Sequence, residues 1–244
     1  MCGRYAATKD PTDLIEEFDL AGPPKEELHA DYNVAPTKKV YVIVDRVVDD
    51  VQVRTLTCGR WGLVPSWAKD PSIGSRMINA RAETVAEKPA FRRAFAKRRC
   101  LMPADGYYEW YLPTDPHAPV GKAGKPVKQP FFIRPADGSS LAMAGLYEWW
   151  RDPTREDDDP AAWRLTCTVI TTESVDEVGR IHDRMPMTVA KADWSRWLDP
   201  ATEGPASLLR PAASAGLDAY PVSALVNNVR NNGPELLEPI AAGE

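Results

Sequence analysis

Closely spaced metal-ligand residues are what this 244-residue chain has least of: it holds three histidines and four cysteines, with no C-x-x-C pair. Cys2, Cys58, Cys100 and Cys167 stand far apart, a spacing that speaks against a zinc site or a thioredoxin-like motif. No metal and no cofactor is expected. No apolar run reaches the ~20 residues a membrane-spanning helix needs, and nothing near the N-terminus resembles a signal peptide. A cytoplasmic monomer with no membrane partner is expected, its Cys58, Cys100 and Cys167 being buried thiols of a reducing compartment. An excess of positive charge is also missing: 30 Lys and Arg against 35 Asp and Glu leave a net charge of -5, which excludes uniform coating of nucleic acid. Strand and helix patterns do not alternate as βαβα, so a doubly wound parallel sheet is excluded as well.

Positive charge is nevertheless concentrated. Between Ser75 and Cys100 stand Arg76, Arg81, Lys88, Arg92, Arg93, Lys97, Arg98 and Arg99, against only Glu83 and Glu87. Acid collects elsewhere, as in Glu156-Asp157-Asp158-Asp159. The β-branched runs Val40–Val48 and Val51–Cys58, separated by Asp49-Asp50, predict a hairpin. Further strands are expected over Phe131–Arg134, Leu141–Tyr147 and Leu165–Thr171. Helices are expected over Asp10–Phe18, from Pro89 onward with Phe91, Ala94 and Phe95 inward, and over Ala190–Leu198. The fold class is therefore α+β: a β-rich, mixed but mainly antiparallel sheet curled toward a barrel with flanking helices, in a single domain over residues 1–240. Pro113–Pro130 and Arg151–Ala161 are loops between strands.

The opening Met1-Cys2-Gly3-Arg4-Tyr5 has a particular chemistry. Loss of Met1 would expose a 1,2-aminothiol, whose amine forms a Schiff base with an aldehyde and whose thiol closes onto it as a thiazolidine; ordinary values of roughly 7.7–8.0 and 8.5 leave both groups partly reactive at neutral pH. Other segments hold candidate helpers, each with a plainer alternative. Asn79 and Arg81 lie in a polar NARAET segment, where Asn79 could orient an amine and Arg81 a phosphate; Thr84 and Glu87 have the spacing of a helix capping box. Glu109 stands among aromatics in GYYEW, where lost solvation would raise its pKa and suit it to acid–base work, unless it points to water. The Glu148-Trp149 pair shows that the dipeptide alone is not specific. His182 beside Arg184 offers a proton shuttle next to an anion-binding group, or a structural histidine; His29 and His117 read as exposed. Trp67 in WGLVPSWA would stack on a base if exposed and belong to the core if buried. Asn33 and Pro36 sit in a similar turn segment.

Taken in order, MCGRYA, YNVAPT, WGLVPSWA, INARAET, AFRRAFAKRRCLMPADGYYEW, AGLYEWW, VITTE, IHDRMPM and VSALVNNVRNNGPELLEPI resemble the SOS-response-associated peptidase (SRAP) family of abasic-site-processing proteins, from Met1 to about Pro239. The resemblance implies a SRAP fold with a positively charged groove for single-stranded DNA. It implies an abasic-site sensor that crosslinks to the ring-opened aldehyde through Cys2 after Met1 removal, a lyase-type Schiff-base chemistry with an autopeptidase activity. Carried over by motif, Cys2 is the nucleophile, Asn79 positions it, Glu109 is the acid–base group and His182 assists proton transfer. Arg4, Arg81 and Arg184 would bind phosphates, and Trp67 with Asn33 and Pro36 would shape the groove where a duplex must end. The alternative class is an N-terminal-cysteine hydrolase, either an autoproteolytic peptidase or a class-II glutamine amidotransferase, whose chains can also begin Met-Cys-Gly. A non-reactive single-strand-binding module would keep the groove and need no Cys2.

Overall fold

The computed structural model describes residues 2–115, 119–121, 124–156, 158–174, 176–210 and 216–240. Met1, His117 and parts of the expected loops Pro113–Pro130 and Arg151–Ala161 lie outside the described residues. In chain order the first elements are β1 (Tyr5–Ala7), α1 (Pro11–Phe18), β2 (Asp31–Val34), β3 (Lys39–Val48), β4 (Val51–Trp61), β5 (Asn79–Arg81) and α2 (Arg92–Lys97). There follow β6 (Arg99–Ala104), β7 (Gly106–Tyr111), β8 (Gln129–Pro135), β9 (Leu141–Arg151), β10 (Trp163–Glu173), β11 (Arg184–Pro186), α3 (Trp194–Leu198) and β12 (Leu217–Pro221).

The expected hairpin is β3–β4, paired from Val48 with Val51 to Lys39 with Arg60. Its two-residue turn needs positive φ at both positions, which Asp49 (50°) and Asp50 (61°) supply; aspartate tolerates the left-handed region better than most side chains. Around this hairpin a barrel closes. β3 pairs with β6, β6 with β9, β9 with β10, and β10 returns to β4 in parallel. Closure gives each of these five strands a neighbour on both sides, although the outer end of the β3–β4 hairpin is paired only within itself. β5 and β11 extend the C-terminal half of β10, the first in parallel and the second antiparallel. A second, antiparallel sheet runs in the order β12-β8-β7-β1-β2.

Side chains alternate along the barrel strands because the strand period is two. Tyr41, Ile43, Leu101, Leu146 and Ile170 point outward into a layer shared with all three helices. Leu14 and Phe18 come from α1, Ala94 and Phe95 from α2, and Trp194 and Trp197 from α3. The intervening Val40, Val42, Val44, Cys100, Met102, Cys167 and Val169 form a second cluster inside the barrel. Cys2, Tyr5 and Tyr107 join that interior cluster from the second sheet's side, so the N-terminus lies where barrel and sheet meet.

α1 begins as its sequence predicts, with Asp10 accepting from the Thr12 and Asp13 amides and Pro11 in the first turn. The other helices are shorter than expected. The segment from Pro89 becomes α-helical only at Arg92, and Lys191–Asp193 is a 3-10 turn ahead of α3. The Thr84–Glu87 spacing does not start a helix either; residues 82–87 form turns in which the Thr84 carbonyl accepts from the Glu87 and Lys88 amides. Cys100 and Cys167 are buried as expected, but Cys58 is only half-buried, because its side chain faces the Glu26 carbonyl beside the outer layer.

Candidate active site at the N-terminal cysteine

Cys2 is fully buried. The Arg4 backbone N–H donates to its sulfur, and Asn79 Nδ2 donates to its carbonyl oxygen at 2.6 Å. Asn79 can reach it because β5 pairs in parallel with β10, Asn79 opposite Val169, at the barrel end that the N-terminal segment covers. Burial first, and then the charge of Glu109, push the Cys2 thiol up to about 12. At neutral pH the sulfur is therefore a thiol rather than a thiolate.

Glu109 lies on β7 opposite Phe131 of β8 and is 5% exposed. Burial raises its carboxyl above the ordinary 4.5, with the neighbouring His182 acting in the opposite direction. Burial thus raises the carboxyl as read from the sequence, but the flanking Tyr108 and Trp110 pack on the opposite face of β7 and only Tyr107 of GYYEW shares its side. Glu148, in the second Glu-Trp pair, is also buried but is ion-paired with Arg98 at 2.7 Å, a structural use of the same dipeptide.

His182 stands partly exposed in the turn before β11. Its Nδ1 is 3.0 Å from the Arg184 amide and 2.8 Å from Asp183 Oδ1. The Arg184 amide N–H donates to Nδ1, which fixes the ring beside Glu109, whose carboxyl feels the His182 charge. Cys2, Asn79, Glu109 and His182 come from four separate stretches of sequence and are brought together by β1, β5, β7 and the turn preceding β11. His29 is exposed, as expected.

The residues expected at a DNA groove divide into exposed and committed ones. Trp67 is 55% exposed while its neighbour Trp61 is fully buried, edge-on to Tyr5 at 5.2 Å, with its indole N–H on the Ile78 carbonyl. Pro36 is partly exposed in the turn that binds Trp61 through the Thr37 amide. Arg81 is exposed beside an open cavity of about 500 Å³ that Glu173, Ser174, Gly179, Asp183 and Arg184 also line. Arg184 is less free. Glu83 clamps its guanidinium at 2.7 and 3.0 Å, and it donates to the Thr171 carbonyl at 2.6 Å.

Arg4 is half-buried, donating to Asn33 Oδ1 at 2.6 Å and the Val226 carbonyl at 2.7 Å, with its guanidinium 5.8 Å from the Trp110 ring. Asn33 is fully buried and gives its amide N–H groups to the carbonyls of Val226, Asn228 and Asn231. Asn33 thus shapes the surface by holding the 226–231 segment rather than by touching a ligand. Its partner segment VNNVRNN had carried no role by itself in the sequence; nothing short of tertiary contact could assign one. Much of the basic stretch is likewise structural: Arg99 is buried and donates to the carbonyls of Phe95, Ala96, Trp197 and Asp199. Arg76, Arg81, Lys88, Arg92, Arg93 and Lys97 remain exposed.

Among the described residues no group of three or more His, Cys, Asp or Glu is placed to hold a metal ion, and no helix is long and apolar enough to cross a membrane.

Residues 1–229 match the family described as SOS response associated peptidase (SRAP). The abasic site processing protein YoqW of Bacillus subtilis is 40% identical over 242 residues, covering 98% of this chain and 99% of its own length. The abasic site processing protein HMCES of Gallus gallus is 34% identical over 243 residues, 87% of this chain and 67% of its length. Among solved structures, a protein from Bacteroides thetaiotaomicron superposes with a TM-score of 0.80 over 98% of this chain and 100% of that one, at 24% identity. A phage-related protein from Bordetella bronchiseptica gives a TM-score of 0.66 at 28% identity, covering 91% and 94%. The fold is shared across these structures and the sequence match runs through both sheets and the segments that carry Cys2, Asn79, Glu109 and His182: the chain belongs to the SOS response associated peptidase family.

Proposed function

We propose that this protein processes abasic sites in single-stranded DNA by linking Cys2 covalently to the ring-opened sugar. The observation that carries this reading is a fully buried Cys2 with its carbonyl held by Asn79 and a desolvated Glu109 at its side. Its relatives named as abasic site processing proteins support the substrate.

The site's electrostatics favour an order of events. With the thiol held protonated by burial, the amine exposed by Met1 removal is the first nucleophile. An abasic sugar opens when its C1′–O4′ bond breaks, O4′ gains a proton and the C1′ hydroxyl loses one; a carboxyl with a raised pKa supplies and recovers such protons near neutral pH. The amine then adds to the C1′ aldehyde, water leaves, and an imine forms. Finally the sulfur bonds to C1′, the S–H proton passes to the Glu109 carboxylate and on to the imine nitrogen, and a thiazolidine results with one water lost overall. His182, whose charge acts on Glu109, relays protons between Glu109 and solvent. Arg81 and Arg4 hold flanking phosphates, Arg184 joins them only where Glu83 releases it, and Trp67 stacks on a base.

Met1 removal belongs to the same proposal. Attack of the Cys2 sulfur on the Met1 carbonyl breaks the Met1–Cys2 amide bond, the S–H proton passing to the Cys2 nitrogen, and water then hydrolyses the resulting thioester to free methionine and the thiol, an autopeptidase step that leaves the aminothiol free. The protein acts as a cytoplasmic monomer. Intact-mass analysis before and after mixing with abasic single-stranded oligonucleotide tests the reading. Loss of Met1 and an adduct of oligonucleotide minus one water are expected, with Cys2→Ala forming none and retaining most non-covalent binding; an undiminished adduct with Cys2→Ala would overturn it.

A further inference from the structure

Tyr107 belongs to the same small volume as Cys2 and Glu109, and its hydroxyl has nothing to do there. The side chain is 1% exposed, and its phenolic oxygen is buried with no hydrogen-bond partner among the described residues. Buried polar groups are nearly always paired, and leaving one unpaired costs roughly 1–3 kcal/mol. A phenylalanine would fill the same space without that cost. Its neighbour Tyr108 shows the ordinary arrangement: equally buried, but with its hydroxyl on the Tyr32 carbonyl at 2.7 Å.

The position of Tyr107 says what its hydroxyl faces. Tyr107 and Glu109 are two apart on β7 and so share one face of that strand. That face turns toward the barrel interior, where Tyr107 packs in the same cluster as Cys2. Backbone pairing with Tyr5 of β1 and Ile133 of β8 fixes the ring from both sides. A second unused polar atom flanks the same cysteine: Asn79 Oδ1 is buried without a partner, although its Nδ2 holds the Cys2 carbonyl. The site therefore carries one idle donor and one idle acceptor around the reacting residue.

We propose that the Tyr107 hydroxyl is a further catalytic group of this site, kept unpaired in the free protein so that it donates a hydrogen bond to the sugar oxygen released when the abasic ring opens. This rests on the reading of Cys2 as the nucleophile for an abasic aldehyde. No proton changes owner at Tyr107. The phenol stays protonated, since burial and then the charges of Cys2 and Glu109 hold its ionisation well above the ordinary value. Glu109 delivers the proton to O4′, and Tyr107 O–H steadies that oxygen while the Cys2 amine attacks C1′.

Tyr107→Phe removes one oxygen and nothing else, and it separates this role from packing. Single-turnover crosslinking to abasic single-stranded oligonucleotide is expected to slow about tenfold, the worth of one hydrogen bond of roughly 1.4 kcal/mol, with the Kd for undamaged single-stranded DNA unchanged. The free variant should melt at the same temperature as the wild type or higher, because an unpaired buried hydroxyl has gone. A slower rate together with a lower melting temperature would assign Tyr107 to structure, and a wild-type rate would overturn the proposal. Wild-type protein that forms no adduct at all would instead refute the reading of Cys2.

Discussion

Asn79 offers a direct test of how Cys2 is held. Its Nδ2 donates at 2.6 Å to a carbonyl that has no access to solvent. Asn79→Ala leaves that carbonyl without its donor, a loss of roughly 1–3 kcal/mol for a buried group. If the bond is what keeps Cys2 in the reactive position, the same energy reads as an approximately 5- to 150-fold slower adduct formation at 1.4 kcal/mol per tenfold. The strand itself should survive, because β5 is held by backbone pairing of Asn79, Ala80 and Arg81 with Val169, Ile170 and Thr171. Asn79→Asp is the sharper variant. It keeps the size and shape of the side chain but places a carboxylate against the carbonyl oxygen, and a proton on that carboxylate restores a donor. Single-turnover rates across a pH series, expressed relative to wild type, should show the Asp deficit narrowing as pH falls toward the carboxylate range. Wild-type rates for both variants at every pH, with melting temperatures unchanged, would refute the assignment of Asn79 as the residue that positions Cys2.

Two further outcomes follow from the electrostatics. A carboxyl whose folded-state value lies above its unfolded one favours folding while protonated, so the Glu109 contribution is complete below about 4.5 and is lost as pH rises through the raised value. Glu109→Gln should therefore be more stable than wild type to thermal unfolding at pH 7–8, no more stable near pH 4, and about tenfold or more slower in crosslinking; a variant less stable at pH 8 would contradict the burial penalty. Glu83→Gln removes the charge that clamps Arg184. Binding of single-stranded DNA should then become steeper in salt, with the slope of log K against log salt changing by about 0.7 for one more neutralised phosphate, as fluorescence anisotropy between low and moderate salt would read; an unchanged slope would place Arg184 away from phosphate.

The sequence was most legible where local chemistry decides structure. The β3–β4 hairpin needed only two β-branched runs and an Asp-Asp turn, and α1 needed only Asp10, Pro11 and an apolar face. What it could not yield was whether a given cation is free. Arg99 and Arg92 look alike in a basic run, yet one is buried on four carbonyls and the other is exposed, a difference set by where Trp197 and Asp199 return in space almost a hundred residues later. Arg184 and Glu83 are a similar case, a hundred and one residues apart and paired only because β5 and β11 flank β10 on opposite edges, both meeting it at Thr171. Glu109 stood out among aromatics in the sequence, yet the flanking Tyr108 and Trp110 face away from it, and its burial on the other face of β7 is set by the fold. Tyr107 carries a fainter form of the same signal: it shares the strand period of Glu109, but only the closed barrel shows that its hydroxyl has been left without a partner.

The site combines several arrangements that a stable core would avoid. A carboxyl group is buried against its solvation, and a phenol and an amide oxygen are buried unpaired. Each opposes folding, and their concentration around one residue at the junction of barrel and sheet is what sets that junction apart from the core and supports its proposal as the reaction site. The closed barrel is the element able to sustain them. Each of its five strands has a partner on both sides, and it packs apolar clusters on both of its faces, so a few kcal/mol of local strain can persist without melting the strands that hold Asn79 beside Cys2. Relief of any one of these features, as in Glu109→Gln or Tyr107→Phe, should therefore raise stability while lowering reactivity. A set of variants in which the two properties fell together would place these residues in the framework instead of the chemistry.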